Sequence, residues 1–271
     1  MVMLATDIGL SPEFEELKQK LNNARNRYLE LIEKYSELVN IIGPNLENDY
    51  MIKLGGKEHQ LFSCQVEILR LKREISLFQA AISHGRTITE KEVADHIEKE
   101  FAEYRKKIQE QTEKLKQARE YVAAPELSPE DTKMLKKLYR EIVRKLHPDL
   151  NPDLPPGAGK LWEQVQTAYK SGLLPELFLL SDMVDELLRG KSDFVETINS
   201  MEQIKQELAK TKEKITNLDK QIKDTLNSVP FTYRDLLSNA TEVMLKRDNL
   251  DRQIEQCQKY IAELKEIRAQ Y

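Results

Sequence analysis

Five stretches of this chain space their apolar residues in alternating steps of three and four. No other feature narrows the possible folds so much, because that spacing gathers the apolar side chains onto one face of a helix. The stretches run from Phe14 through Leu21 and Tyr28 to Ile42, from Leu61 to Ile82, from Ala94 to Val122, from Ile198 to Ile222, and from Leu236 to Leu264. A strand would need a period of two. Glycine agrees with the helical reading: the 271 residues contain 9, and none falls between Gly85 and Gly157. A β-sandwich needs a turn every ~8–12 residues, and a doubly wound α/β fold needs Gly-rich turns after β-branched runs. Neither pattern is present. The sequence therefore predicts an all-α protein, elongated, built from coiled-coil helical hairpins.

Helix ends can be read as well. Ser11 can cap the first helix, with Pro12 at its first position, and Gly43-Pro44 would stop it. His84-Gly85 closes the second. Thr89 followed by Glu92 is a capping box for the third. The short 84–88 connection predicts an antiparallel hairpin of helices two and three, with helix one beside them. Within the longer link at 43–59, Tyr50–Leu54 before Gly55-Gly56 reads as a small β-hairpin. Ser228–Thr232 is short, so the last two seams are expected to form a second antiparallel hairpin. Arg247 is the polar intrusion in the last seam; its stem can cover the seam while its charge reaches water. These signals divide the chain into 1–122, 123–190 and 191–271.

Charge and cysteine content exclude several classes. Lys and Arg number 42 against 46 Asp and Glu, a net charge of -4, so nothing draws the whole chain to nucleic acid. Cys64 and Cys257 fall on seam positions, where cysteine acts as a small hydrophobe, and no zinc or disulfide framework is expected. No apolar run is long enough to span a membrane, and Met1–Leu10 does not read as a signal peptide. A cytoplasmic protein is the expectation.

The helical monotony breaks between 123 and 190. Six of the ten prolines lie from Pro125 to Pro156, and the only tryptophan, Trp162, follows. Ser128-Pro129-Glu130-Asp131 is a helix start with a cap, a proline at the first position and acids in the first turn. Its apolar side carries Leu135, Leu138, Ile142, Val143 and Leu146. The other side carries Lys133, Lys136, Lys137, Arg140, Arg144 and Lys145 against Glu141 alone. The helix must stop at His147-Pro148-Asp149, since Pro148 disfavours helical geometry at the residue before it. Asn151-Pro152 and Pro155-Pro156-Gly157 stiffen the loop, and a second helix runs from about Ala158 to Lys170 with Leu161, Trp162, Val165, Ala168 and Tyr169 on its apolar face. A basic helix leading to such a tip suits an acidic partner.

From Leu135 to Pro152, the helix ending in His147-Pro148-Asp149 resembles helix II and the loop of a J-domain, the DnaJ module. Trp162–Tyr169, with its aromatic, aliphatic and Ala-Tyr positions in register, is similar to helix III of that family. The resemblance implies a co-chaperone that docks onto a DnaK-type ATPase chaperone and stimulates its ATP hydrolysis. His147, Pro148 and Asp149 would be the signalling tip. Tyr139, Arg140, Lys136 and Lys145 would form the docking face, assisted electrostatically by Lys137 and Arg144. Leu138, Ile142, Leu146, Trp162, Val165 and Tyr169 would be the hairpin core. Residues 128–170 carry the likeness. The family's tyrosine-rich helix I is absent, and Ala118, Tyr121 and Val122 are the candidates to replace its packing. Glu141 stands where the family often has a base. Leu173–Leu188 is more apolar than the family's helix IV; it has enough apolar residues for an exposed partner site, and the favoured reading is a helix covering the hairpin. No Gly/Phe-rich linker or cysteine-rich region follows.

No nucleophile or phosphate loop accompanies His147 and Asp149, and His59, His84 and His96 are scattered, so neither enzyme activity, nor a cofactor, nor a metal is expected. The coiled-coil arms would bind a client or assembly partner. Their seams can close within one chain or between copies, so a homo-oligomer stays open. The competing expectation is a structural coiled-coil scaffold whose J-like hairpin does not act on a chaperone.

Overall fold

The computed structural model describes residues 12–123, 127–189, 198 and 200–271. The expected Ser11 cap, the Pro125 bend and the helix end at Gly190 lie outside them. Every regular element among the described residues is helical, and no strand is present there. In order these are α1 (Pro12–Glu37), α2 (Gly43–Tyr50), α3 (Gly56–Ser83), α4 (Glu90–Glu100), α5 (Ala102–Ala123), α6 (Pro129–Leu146), α7 (Ala158–Lys170), α8 (Leu174–Leu187), α9 (Met201–Leu226), α10 (Arg234–Ser238) and α11 (Ala240–Arg268).

Two expectations about the 43–59 link are corrected. Gly43-Pro44 does not stop the helix, and Tyr50–Leu54 forms no hairpin. Widened π-type turns at Leu38–Ile42 and Met51–Gly55 carry the backbone on in helical geometry. The Gly43 amide donates to Leu38 five residues back. A widened turn already interrupts the helical ladder, so the amide that Pro44 lacks costs little there. Gly55 and Gly56 are right-handed helical. A Cβ at Gly55 would lie 2.7 Å from Met51 Sδ, so this glycine admits a close side chain and does not turn the chain.

The chain divides into two compact units, residues 1–44 with 126–231, and residues 45–125 with 232–271. This grouping differs from the linear three-part division. The two C-terminal seams were expected to pair with each other; instead, α9 closes on α1 in the first unit and α11 on α3 in the second. The hydrophobic effect has no direction along the chain, so a seam takes whichever apolar stripe the fold brings beside it.

In the first unit α1 and α9 run parallel. Phe14 and Leu21 are buried with Ile198, Ile204 and Leu208. Two turns on from Leu21, the Lys214 ammonium of α9 lies 6.0 Å from the Tyr28 ring centre. α6 and α7 form the antiparallel hairpin expected from the sequence. α8 covers it with Leu177, Leu180 and Val184, while Phe178, Leu179 and Met183 are exposed. Ala118, Tyr121 and Val122 do not supply the missing helix I packing. They belong to the second unit, where Ala118 is buried, Tyr121 donates to Asn45 at 2.7 Å, and Val122 is exposed.

In the second unit α3 and α11 are also parallel, with Ile68, Leu71 and Ile75 against Ile261 and Leu264. Ion pairs Lys57–Asp251 at 2.6 Å and Glu74–Arg268 at 3.0 Å repeat the same register. α4 and α5 return along α3, as the short connection predicts. Val93, Ile97 and Phe101 there pack on Val66 and Phe78. The capping box is formed, with the Glu92 amide donating to Thr89 Oγ1 and the Thr89 amide to Glu92 Oε2 at 2.8 Å. Cys64 and Cys257 are unpaired and half-buried. Burial, with Cys257 adding, pushes the Cys64 thiol up. Arg247 is exposed, as a charge reaching water requires.

Truncating a side chain with no exposure leaves a cavity. Ile204→Ala is therefore expected to lower stability by about 2–5 kcal/mol through the α1/α9 seam, whereas Thr89→Ala costs about 1 kcal/mol. Urea unfolding of both variants measures the difference.

Candidate functional site

The tip is built from the C-terminus of α6 outwards. His147 leaves the helix with φ -66° and ψ 125°, the extended geometry imposed by Pro148. Its carbonyl accepts the amides of Leu150 and Asn151, each at 3.0 Å, and Asn151 Nδ2 donates to the Arg144 carbonyl at 3.0 Å. The Arg144 carbonyl, one of those that end α6, is thereby satisfied within the loop. The Asp149 amide donates to His147 Nδ1 at 3.2 Å, so the neutral imidazole keeps its proton on Nε2. The ring stands edge-on to Trp162 with centres 5.2 Å apart.

Below the tip, aromatic rings tie the hairpin together. Tyr139 is 2% exposed; it stacks on Tyr169 at 3.8 Å and lies 6.1 Å from Trp162. Its phenol oxygen accepts from Ser36 of α1 at 2.9 Å. Burial raises the Tyr139 phenol, against the Ser36 hydrogen bond. Tyr139, expected on the docking face, is therefore a core residue. Among the expected core residues, Leu138, Ile142, Leu146, Val165 and Tyr169 are buried, and Trp162 is partly exposed.

The cations of α6 fall into two groups. Lys136 pairs with Glu37 of α1, and Arg140 Nε lies 2.9 Å from Glu33 Oε1. The approach to Glu33 is not aligned for a hydrogen bond, and Oε1 is buried with no hydrogen-bond partner. Burial pushes the Glu33 carboxyl up, opposed by Arg140 and Arg144. Lys145 donates to Asp185 of α8 at 2.5 Å. Lys137 and Arg144 are exposed and line a shallow groove of about 370 Å³ with Arg140, Glu141 and Lys145.

Residues distant in sequence complete the tip. Tyr28 of α1 donates to Asp149 Oδ2 at 2.7 Å. Lys214 of α9 donates to the Asp149 carbonyl at 3.1 Å and lies 3.6 Å from its carboxylate. The Arg25 guanidinium donates to the Leu150 carbonyl. Burial raises the Asp149 carboxyl, but the Tyr28 hydroxyl, Lys214 and His147 outweigh it and keep the group below its ordinary range. Burial, helped by Lys214, lowers His147, while Asp149 opposes them. Between α1, α7 and α9 lies a cleft of about 570 Å³, walled by Tyr28, Tyr35, Tyr139, His147, Trp162 and Leu218.

The structure thus gathers His147 and Asp149 with Lys136, Tyr139 and Arg140 along the side of the hairpin that faces α1, while Pro148 is exposed. Sequence reasoning missed Tyr28, Glu33, Ser36, Glu37 and Lys214. The available signal was the pair Glu33 and Glu37, one helical turn apart, matching Lys136 and Arg140 at the same spacing. Among the described residues, no group of three His, Cys, Asp or Glu could hold a metal, and no helix is long and apolar enough to cross a membrane. Comparison with protein-family models, curated proteins and solved structures finds no match.

The lowered His147 sets a pH dependence. As pH falls below its ordinary value of 6.5, the unfolded chain takes up this proton before the folded one, so stability declines from there downwards. Asp149 adds a more acidic loss, because its favoured carboxylate is protonated only below its ordinary 3.8. Urea midpoints measured from pH 8 to pH 5 are expected to decline in the wild type and to flatten in His147→Gln. Identical slopes would refute a buried neutral imidazole.

Proposed function

We propose that the chain is a J-domain-like co-chaperone or adaptor, not itself an enzyme. It recruits a DnaK-type ATPase chaperone through His147-Pro148-Asp149 and the basic face of α6. The observation that supports this most directly is the fixed tip. Internal hydrogen bonds and the Trp162 contact hold the turn in one conformation on a packed hairpin, so little entropy remains to be lost on docking. Pro148, Lys137 and Arg144 are open to a partner. In this reading the parallel pairs α1/α9 and α3/α11 act as coiled-coil arms for a client or assembly partner.

A second reading is favoured by one specific observation. Tyr139 is buried, and Lys136, Arg140 and Asp149 already have partners within the chain. A structural scaffold with a J-like hairpin that acts on no chaperone would look the same.

Single-turnover ATP hydrolysis by a DnaK-type chaperone separates the two. The co-chaperone reading expects acceleration by the wild type and none by His147→Gln. Lys137→Ala/Arg144→Ala is expected to weaken binding at low salt, with the difference from wild type shrinking as salt rises. An unchanged rate with the wild-type chain leaves the scaffold.

A further inference from the structure

Part of the side of α6 that the J-domain resemblance assigns to an outside partner, Lys136, Tyr139 and Arg140, is occupied by a surface of this chain. Glu33 and Glu37 lie one turn apart on α1 and meet Arg140 and Lys136, one turn apart on α6. Ser36, between them, donates to Tyr139. Two turns earlier Tyr28 takes the Asp149 carboxylate, and Lys214 takes the Asp149 carbonyl. We infer that α1, carried with α9, is an intramolecular competitor for the partner-binding side of the hairpin, and that the partner displacing it is an acidic surface presenting two carboxylates about one helical turn apart. This rests on the co-chaperone reading and deepens it by naming the chemistry of the partner.

Three features make the contact exchangeable. Its ion pairs are partly exposed, with side-chain exposures of 42% and 36% for Lys136 and Glu37, and 38% and 48% for Lys214 and Asp149. Pairs of that kind contribute little each. Glu33 Oε1 is buried beside the Arg140 guanidinium with no donor aligned on it, so closure satisfies this oxygen by charge alone and release would hydrate it. The burial that raises the Glu33 carboxyl has the same origin. The interface is also incompletely filled, since the 570 Å³ cleft lies along it. Meanwhile α1 keeps its own apolar seam with α9 through Phe14, Leu21, Ile204 and Leu208, so release of the two helices together gives up the buried Ser36–Tyr139 hydrogen bond but keeps that core.

The composition of the contact also indicates what can replace it. α1 supplies two carboxylates at helical spacing and a hydroxyl donor between them. An incoming surface must present the same carboxylates to Lys136 and Arg140. It gains in addition the exposed Lys137 and Arg144, which no acid of α1 pairs with.

The full chain tests this, with Cys64→Ser and Cys257→Ser to remove the native thiols. Glu37→Cys and Lys136→Cys then allow a short bis-maleimide to fasten α1 to α6. Cross-linked protein is expected to bind a purified DnaK-type chaperone at least tenfold more weakly than the same chain left uncross-linked. Glu33→Arg/Glu37→Lys is expected to bind it severalfold more tightly than wild type. Trp162 supplies a reading that needs no chaperone. It lines the cleft facing α1, so release should move its emission to longer wavelength, and a helical peptide with Glu at two positions one turn apart should do the same in the wild type where its Gln analogue does not. Equal chaperone affinity of cross-linked and open chains overturns the competitor role and leaves the co-chaperone reading standing. No binding by any form, the charge-reversed one included, overturns both. Equal action of the Glu and Gln peptides overturns the carboxylate recognition.

Discussion

The stacked contact of Tyr139 with Tyr169 is the interaction on which the first unit depends. It fixes the separation of α6 and α7, and through Trp162 it sets the plane against which the His147 ring stands. The Tyr139 hydroxyl cannot be buried without a partner at acceptable cost. Ser36 supplies one, and that requirement draws α1 against the hairpin. The tyrosine therefore links hairpin packing, tip orientation and the placement of the N-terminal helix.

Electrostatics then determines how the hairpin presents itself. Beyond the acids of its first turn, α6 carries six cations and one acid on its polar side, and left alone such a surface repels itself. The fold relieves this unevenly. Glu33, Glu37 and Asp185 take Arg140, Lys136 and Lys145, while Lys137 and Arg144 stay open. At the tip the same economy applies to the opposite sign, where Tyr28 and Lys214 stabilise Asp149 as the carboxylate while His147 stays neutral.

Much of this was legible in the sequence because it is local. The apolar period of α1, the Thr89 capping box, the Ser128-Pro129 start of α6, the forced exit at His147-Pro148 and the covering role of α8 are decided within a few residues of each other. Long-range choices were not legible. A heptad seam records that a partner exists and not which one, so Ile204 finding Phe14 and Leu264 finding Leu71 could not be read. Tyr139 illustrates the same limit: at the edge of an amphipathic helix an aromatic ring can face solvent or core, and stacking with Tyr169 decided for the core. The 43–59 link was not legible for a different reason: Gly and Pro ordinarily break helices, whereas a widened helical turn tolerates both.

The parallel pairing of α3 with α11 has a consequence for how the chain is made. Glu74 and Arg268 are 194 residues apart, and α1 waits nearly as long for α9. At about 5–20 residues per second, a ribosome needs on the order of 10–40 s to deliver such a partner. For that interval the stripe each early helix will share with its late partner is unmatched, during which a stripe on a neighbouring nascent chain is as good a match as its own. Assembly in cis is then a race against encounter in trans, decided by the rate of synthesis and the local crowding of ribosomes as much as by the stability of the finished fold.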